Sequence, residues 1–236
     1  MPDQHAVPTV TSAFAAATAA LVDDYDVVGV VSRLLRDCSA LLSQAAVGVV
    51  VVGHAGQLEL LASTSHAADQ IELFQLQSED GPCVECLRTG ELVVETTVDS
   101  IATRWPLLAA PFRSQGWQSV HAVPMRWHGR LIGSLNAFDS SPVAMGVEQI
   151  ELAQAFADVT TMAIVHADQD VTGRVMRQTR QALRGRTLIE QAKGVLAYQL
   201  EIDMASAYTA LMRLADERGQ SLSVVAADVV ASAVPR

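Results

Sequence analysis

Two cysteines stand one helical turn apart in "GPCVEC": Cys83 and Cys86. A CxxC spacing suits a redox pair or half of a metal site. A zinc or iron–sulfur site needs about two more ligands. The remaining cysteine, Cys38, is alone, and His66 and His121 contribute only if the fold brings them close. The plainer reading is two small, half-buried residues at a helix start. His121 alternates with Val120 and Ala122 on a strand-like run, so it faces a pocket or is a satisfied structural histidine, whereas His128 sits at a turn. The third feature is "LIEQAKGVLAYQL", which holds the chain's only lysine, Lys193, beside Gly194. Glycine costs a helix about 1 kcal/mol relative to alanine, so its place mid-helix asks for a reason. No G-x-S-x-G, Walker A, H-E-x-x-H or dinucleotide fingerprint is present, and the expectation is a protein that is not an enzyme.

Elements must position these residues. Apolar spacing predicts a helix over 27–44. A buried strand, a turn at Gly53–Gly56 and an alternating strand follow across 45–64. Residues 66–90 read as mostly helical, 92–96 as a short strand and 103–117 as a helix stopped by Gly116. Residues 119–140 read as two strands joined at His128–Gly129, and a long helical pattern starts at Val147. Strands that meet through hairpins, with helices set apart, predict an α+β domain on an antiparallel sheet. From residue 173 onward only helices are expected.

Half of the 236 residues are hydrophobic, enough for a sizeable core. The net charge of −10 is unevenly spread: residues 1–172 carry −13 and residues 173–236 carry +3. That asymmetry suggests two parts with different partners. Three cysteines are too few for a disulfide framework. The N-terminal Ala-rich run lacks a basic region, so it reads as a leader or first helix and not as a signal peptide. No apolar run is long enough for a membrane span, and a cytoplasmic location is expected.

The stretch from "EDGPCVECLRTGELVVET" to "SVHAVPMRWHGRLIGSLNAFDS" resembles a GAF domain of the actinobacterial type. The resemblance rests on the Gly-Pro-Cys turn, the "TGE" before a strand and the closing hairpin. It implies a GAF-like antiparallel-sheet sensor domain with a small-molecule or protein-contact cavity, the ligand and any cofactor being unknown. Cys83, Cys86 and His121 are the ligand or redox candidates.

The tail resembles the ANTAR domain, an RNA-binding antitermination module, through "QALRGRTLIEQAKGVL", "AYTALMRLADERG" and "SLSVVAADVV". The resemblance implies three helices that bind paired RNA hairpins in nascent transcripts. On the first helix Leu188, Ile189, Ala192, Val195, Leu196 and Gln199 fall along one broad side, and Arg186, Glu190, Lys193 and Ala197 on the other. The apolar side goes to a core, so Lys193 is expected to face out. Candidate RNA-binding residues are Arg186 and Lys193 for phosphates, Gly194 for close approach, Tyr208 for stacking if it is exposed, and Arg213. Asp203 and Ser221 are expected to cap the second and third helices, with Gly219 ending the second.

The domains expected are a leader (1–24), a sensor (25–166), a connecting helix (147–181) overlapping the sensor's end, and the tail (174–236). Gly173 is the soft point of the connecting helix, and Arg174, Arg177, Arg180, Arg184 and Arg186 form a basic stripe. Ile150, Ala153, Ala157, Thr160 or Thr161, and Ile164 form a seam through which two copies would pair as a homodimer. The leading expectation is a signal-responsive antitermination regulator. The alternative is a stress regulator that binds a partner protein through its GAF-like face without RNA. A DNA-binding role is disfavoured because "LSVVAADVV" offers no base-reading Arg, Lys, Asn or Gln.

Overall fold

The computed structural model describes residues 8–22, 26–53, 56–165 and 174–233, with side chains of 22 and 174–184 left outside that set. Gly173 and the side chains of Arg174, Arg177, Arg180 and Arg184 therefore lie outside the described residues.

The front of the chain is built on one sheet. Strands β1 (Ala46–Val52), β2 (Leu58–Ser63), β3 (Val93–Glu95), β4 (Ser119–Trp127) and β5 (Arg130–Asp139) are ordered β2-β1-β5-β4-β3, and every pairing is antiparallel. The β4–β5 turn falls at His128–Gly129, both at positive φ, as a tight two-residue hairpin requires. Alternation sends Val47, Val49 and Val51 to one face and Ala46 and Val50 to the other. Both faces are covered, which is why β1 is almost wholly apolar.

Helices α2 (Val27–Leu42) and α7 (Val147–Val165) cover the first face, and α1 (Val10–Val22) packs on α2. Helices α3 (His66–Ser78), α4 (Pro82–Thr89), α5 (Val98–Arg104) and α6 (Pro106–Ser114) lie on the other face, around Ile71, Ile101, Leu108, Phe112 and Trp117. The helix expected over 66–90 is two helices. Glu79 takes the left-handed conformation at the end of α3, and Pro82 sits in the first turn of α4. The helix expected over 103–117 is likewise divided. Pro106 drives Trp105 out of the helical region, to φ −134 and ψ 77, so α5 ends there and α6 begins.

The tail is three helices: α8 (Arg174–Leu200), α9 (Met204–Arg218) and α10 (Leu222–Ala233). Asp203 caps α9 by accepting from Ser206 N–H at 2.7 Å, and Gly219 ends it at φ 59. Ile189, Ala192, Leu196, Leu211, Val225 and Val229 bury one common stripe. This bundle is docked on the front domain. Helix α8 touches β2, α2 and α7, α9 touches α3, and α10 touches α2. The expected α+β sheet domain with a helical tail is the architecture observed.

One expectation fails here. The seam residues Ala153, Ala157, Thr160, Thr161 and Ile164 are buried in the chain's own core, where α7 packs on α2 and β4. They are not a free face for a second copy, because the antiparallel sheet needs α7 to cover it.

Candidate nucleic-acid interface and sensor core

Arg186, Glu190 and Lys193 follow one another at i, i+4 and i+7 on α8, so they share a face. That face is turned to the GAF-side helix α3, with Arg186 and Lys193 beneath it and the Glu190 side chain half-exposed at its rim. Lys193 is fully buried, one of the largest fully buried side chains in the structure. Its Nζ donates to Asp69 Oδ2 of α3 at 3.0 Å and lies 3.1 Å from the Glu190 carboxylate. Arg186 reaches Asp69 Oδ1 at 3.0 Å and Glu190 at 2.8 Å. Two cations thus meet two carboxylates, and the cluster is neutral as a whole. The expectation that Lys193 faces out is corrected. A buried ammonium is tolerable only when paired, and Asp69, 124 residues earlier in the chain, supplies the pair.

Asp69 is held ready for this role. It lies in the first turn of α3, where a carboxylate is favoured by the helix dipole. Ser63 Oγ donates to its Oδ1 at 2.6 Å. Ser63 also fixes Tyr208, whose hydroxyl donates to the Ser63 carbonyl at 2.6 Å. The Tyr208 ring lies 5.0 Å from Lys193 Nζ, a cation–π contact. Tyr208 is therefore core and not exposed, and burial together with the Asp69 charge pushes its phenol pKa up. Arg213 is elsewhere: its side chain is exposed and lies 3.5 Å from Glu217. Gly194 is exposed, and a Cβ there would meet nothing within 4 Å.

Residues 24–165 match the GAF domain model, and residues 177–230 match the ANTAR domain model. The chain belongs to the GAF domain family. Its tail is an ANTAR domain, docked here with the Arg186 and Lys193 side of α8 against the GAF domain. The GAF domain of an Acinetobacter phosphoenolpyruvate-protein phosphotransferase is similar in structure. It is 12% identical with a TM-score of 0.53, over 71% of this chain and 96% of that one. The corresponding domain from Coxiella burnetii is 13% identical with a TM-score of 0.53, over 69% and 96%. A free methionine-R-sulfoxide reductase from Neisseria meningitidis is 16% identical with a TM-score of 0.50, over 77% and 96%. At these identities the likeness is one of fold. No curated protein matches the chain. A GAF domain is a sensor module, and an ANTAR domain implies an RNA-binding antitermination regulator. No helix among the described residues is long and apolar enough to cross a membrane.

The GAF domain's other candidates are all buried. Cys83 and Cys86 are free thiols that pack into different apolar clusters. Burial pushes the Cys86 thiol up to about 12 and the Cys83 thiol well above its usual value, with the neighbouring Glu72 adding to the latter. His121 accepts from Met145 N–H at 2.9 Å through Nε2, and burial lowers its pKa. That bond ties β4 to the chain before α7, while the His121 Nδ1 is buried without a hydrogen-bond partner.

The polar centre that sequence reasoning missed is Glu72. It is fully buried on α3, accepting from Asn136 Nδ2 of β5 at 2.7 Å and from Gln75 Nε2 at 3.2 Å. Gln75 in turn accepts from the Cys83 N–H at 3.0 Å. Burial raises the Glu72 pKa to about 8, against the hydrogen bond from Asn136, which lowers it. Gly48 lies directly beneath it, since a Cβ there would stand 2.7 Å from Glu72 Oε1 and the carboxyl would have to shift. Helix α3 therefore carries two buried carboxyl groups three residues apart. Glu72 faces the sensor sheet and Asp69 faces the ANTAR helix.

Proposed function

We propose that this chain is a signal-responsive RNA-binding antitermination regulator whose GAF domain holds the ANTAR domain in a docked, RNA-silent arrangement. The observation that carries this reading is the burial of Lys193 against Asp69. RNA phosphate is bound by exposed Lys and Arg, and here the chain's only lysine and Arg186 already have carboxylate partners. Binding of tandem hairpins by these residues requires the module to leave Asp69. Two hairpins call for two modules, so the RNA-bound form is a homodimer. The signal enters through the GAF domain. The raised, buried thiols of Cys83 and Cys86 are poor reductants, because the thiolate is the reactive form. A small molecule is therefore the proposed input over an oxidant. The protein acts by binding, without catalysis, in the cytoplasm. A ligand can release the module only by binding the undocked arrangement more tightly than the docked one.

The test is binding to a tandem-hairpin RNA against duplex DNA competitor across a salt series. Asp69→Asn is expected to bind more tightly than wild type, and Lys193→Glu to bind neither selectively nor in a salt-sensitive manner. Equal binding by Asp69→Asn and wild type would remove the docked-silent reading. No hairpin-selective binding by any variant would favour the partner-protein alternative.

A further inference from the structure

The docked arrangement covers two sides of α8 and leaves a third open. Ile189, Ala192 and Leu196 face the bundle, and Arg186 and Lys193 face the GAF domain. Gln191, Gly194 and Tyr198 run along the remaining side at i, i+3 and i+7, and all three are exposed. Tyr198 is 86% exposed, the most exposed large apolar side chain among the described residues. Such exposure of a ring is unusual, since aromatic side chains gain most from burial. It stands one turn beyond Gly194, where an added Cβ would meet nothing within 4 Å and the helix backbone is open to close approach.

We propose that Tyr198, with Gly194 and Gln191 beside it, is a stacking surface for an unpaired RNA base. This rests on the RNA-binding reading above and adds to it a contact that Tyr208, being buried, does not offer. Base stacking needs a flat ring that can be reached from one side, beside cations that hold the backbone and away from unpaired carboxylates. The stripe is uncharged in a chain of net charge −10. Glu190, the carboxylate of the described part of this helix, is paired with Arg186 and Lys193, and the exposed Glu201 lies just past the helix end. The stripe is also continuous with the face that bears Arg186 and Lys193, one residue further round the helix. Release of that face would place phosphate-binding cations beside the stacking ring on a single helix. Gln191 supplies amide donors and an acceptor for a base edge.

The experiment uses the full-length chain in the wild-type and Asp69→Asn forms, each with Tyr198→Ala or Tyr198→Phe. The probe is a tandem-hairpin RNA carrying 2-aminopurine in one loop. Stacking on the ring quenches the probe. Tyr198→Phe is expected to keep both affinity and quenching. Tyr198→Ala is expected to lose quenching and roughly tenfold to a hundredfold in affinity. The side chain is exposed, so thermal melting of the Ala variant should match the parent. Unchanged affinity and quenching in Tyr198→Ala, with Lys193→Glu still impaired, would overturn the stacking surface and leave the RNA reading standing. Loss of self-association in Tyr198→Ala by sedimentation, with RNA affinity unchanged, would assign the stripe to a second copy of the chain and overturn it too. Absence of RNA binding in every form would remove both readings.

Discussion

Removing the negative charge from Asp69 should open the interface between the two domains without unfolding either. In the wild type, Lys193 and Arg186 face Asp69 and Glu190, and the charges cancel. Asp69→Asn keeps the shape and leaves a buried cluster with an excess positive charge. Breaking a buried pair by removing one partner costs about 3–5 kcal/mol. The cost is capped, however, by the free energy of docking. Once α8 leaves the GAF domain, Lys193 is solvated and no further penalty accrues. The opening equilibrium should therefore rise by roughly a hundredfold to a few thousandfold, up to full undocking. The chain offers a specific readout, because Lys193 is its only lysine. A lysine-specific endoproteinase can cut only between Lys193 and Gly194, and only when that helix is released. Cleavage of Asp69→Asn should be faster than that of wild type by a factor in that range, with the GAF domain's melting temperature little changed. Pairing Asp69→Asn with Lys193→Met leaves Arg186 and Glu190 balanced. Hydrogen exchange along α8 should then return toward wild-type protection. Equal cleavage of wild type and Asp69→Asn would refute the reasoning, since it would mean the pair contributes nothing to docking.

Three further outcomes are expected. Glu72 has an ordinary pKa of 4.5 raised to about 8, so the folded state holds its proton more tightly than the unfolded state does. Its contribution to stability is full below pH 4.5 and declines as pH rises through 8. Thermal melts of Glu72→Gln across that window should show a flatter pH dependence than wild type, and parallel curves would contradict the assignment. Tyr208→Phe removes the hydrogen bond to the Ser63 carbonyl. A loss of about 0.5–1.5 kcal/mol in urea unfolding is expected, with faster lysine-specific cleavage, and no change in either would argue against it. The two glycines should behave oppositely. Gly194→Ala meets open space in a helix and should stabilise by up to about 1 kcal/mol. Gly81→Ala must adopt φ 136 with its Cβ 2.5 Å from Gln75 Oε1, and should destabilise. Differential scanning calorimetry separates the two.

Much of this architecture was legible because its causes are local. The hairpin at His128–Gly129, the Asp203 cap and the Gly219 stop are each set by the chemistry of a few adjacent residues. The breaks at Pro82 and Trp105–Pro106 are as local, each set by a proline at the start of the second helix. The polar residues Asp69, Glu72 and Gln75 gave no such signal. They occupy the buried side of α3, where apolar residues are expected, so the helix looks weakly amphipathic in sequence.

The same division runs through the candidate site. Helical periodicity alone determined that Arg186, Glu190 and Lys193 share one face of α8 and that an apolar stripe occupies another. It did not determine which way the charged face points. A lysine with an exposed carboxylate neighbour and a lysine sealed beneath a second domain have the same sequence around them. What distinguishes them is Asp69, which is distant along the chain and becomes a neighbour only when the bundle docks on α3 and β2. Only tertiary structure could decide that, because burial of a charge is a property of its surroundings and not of the residue.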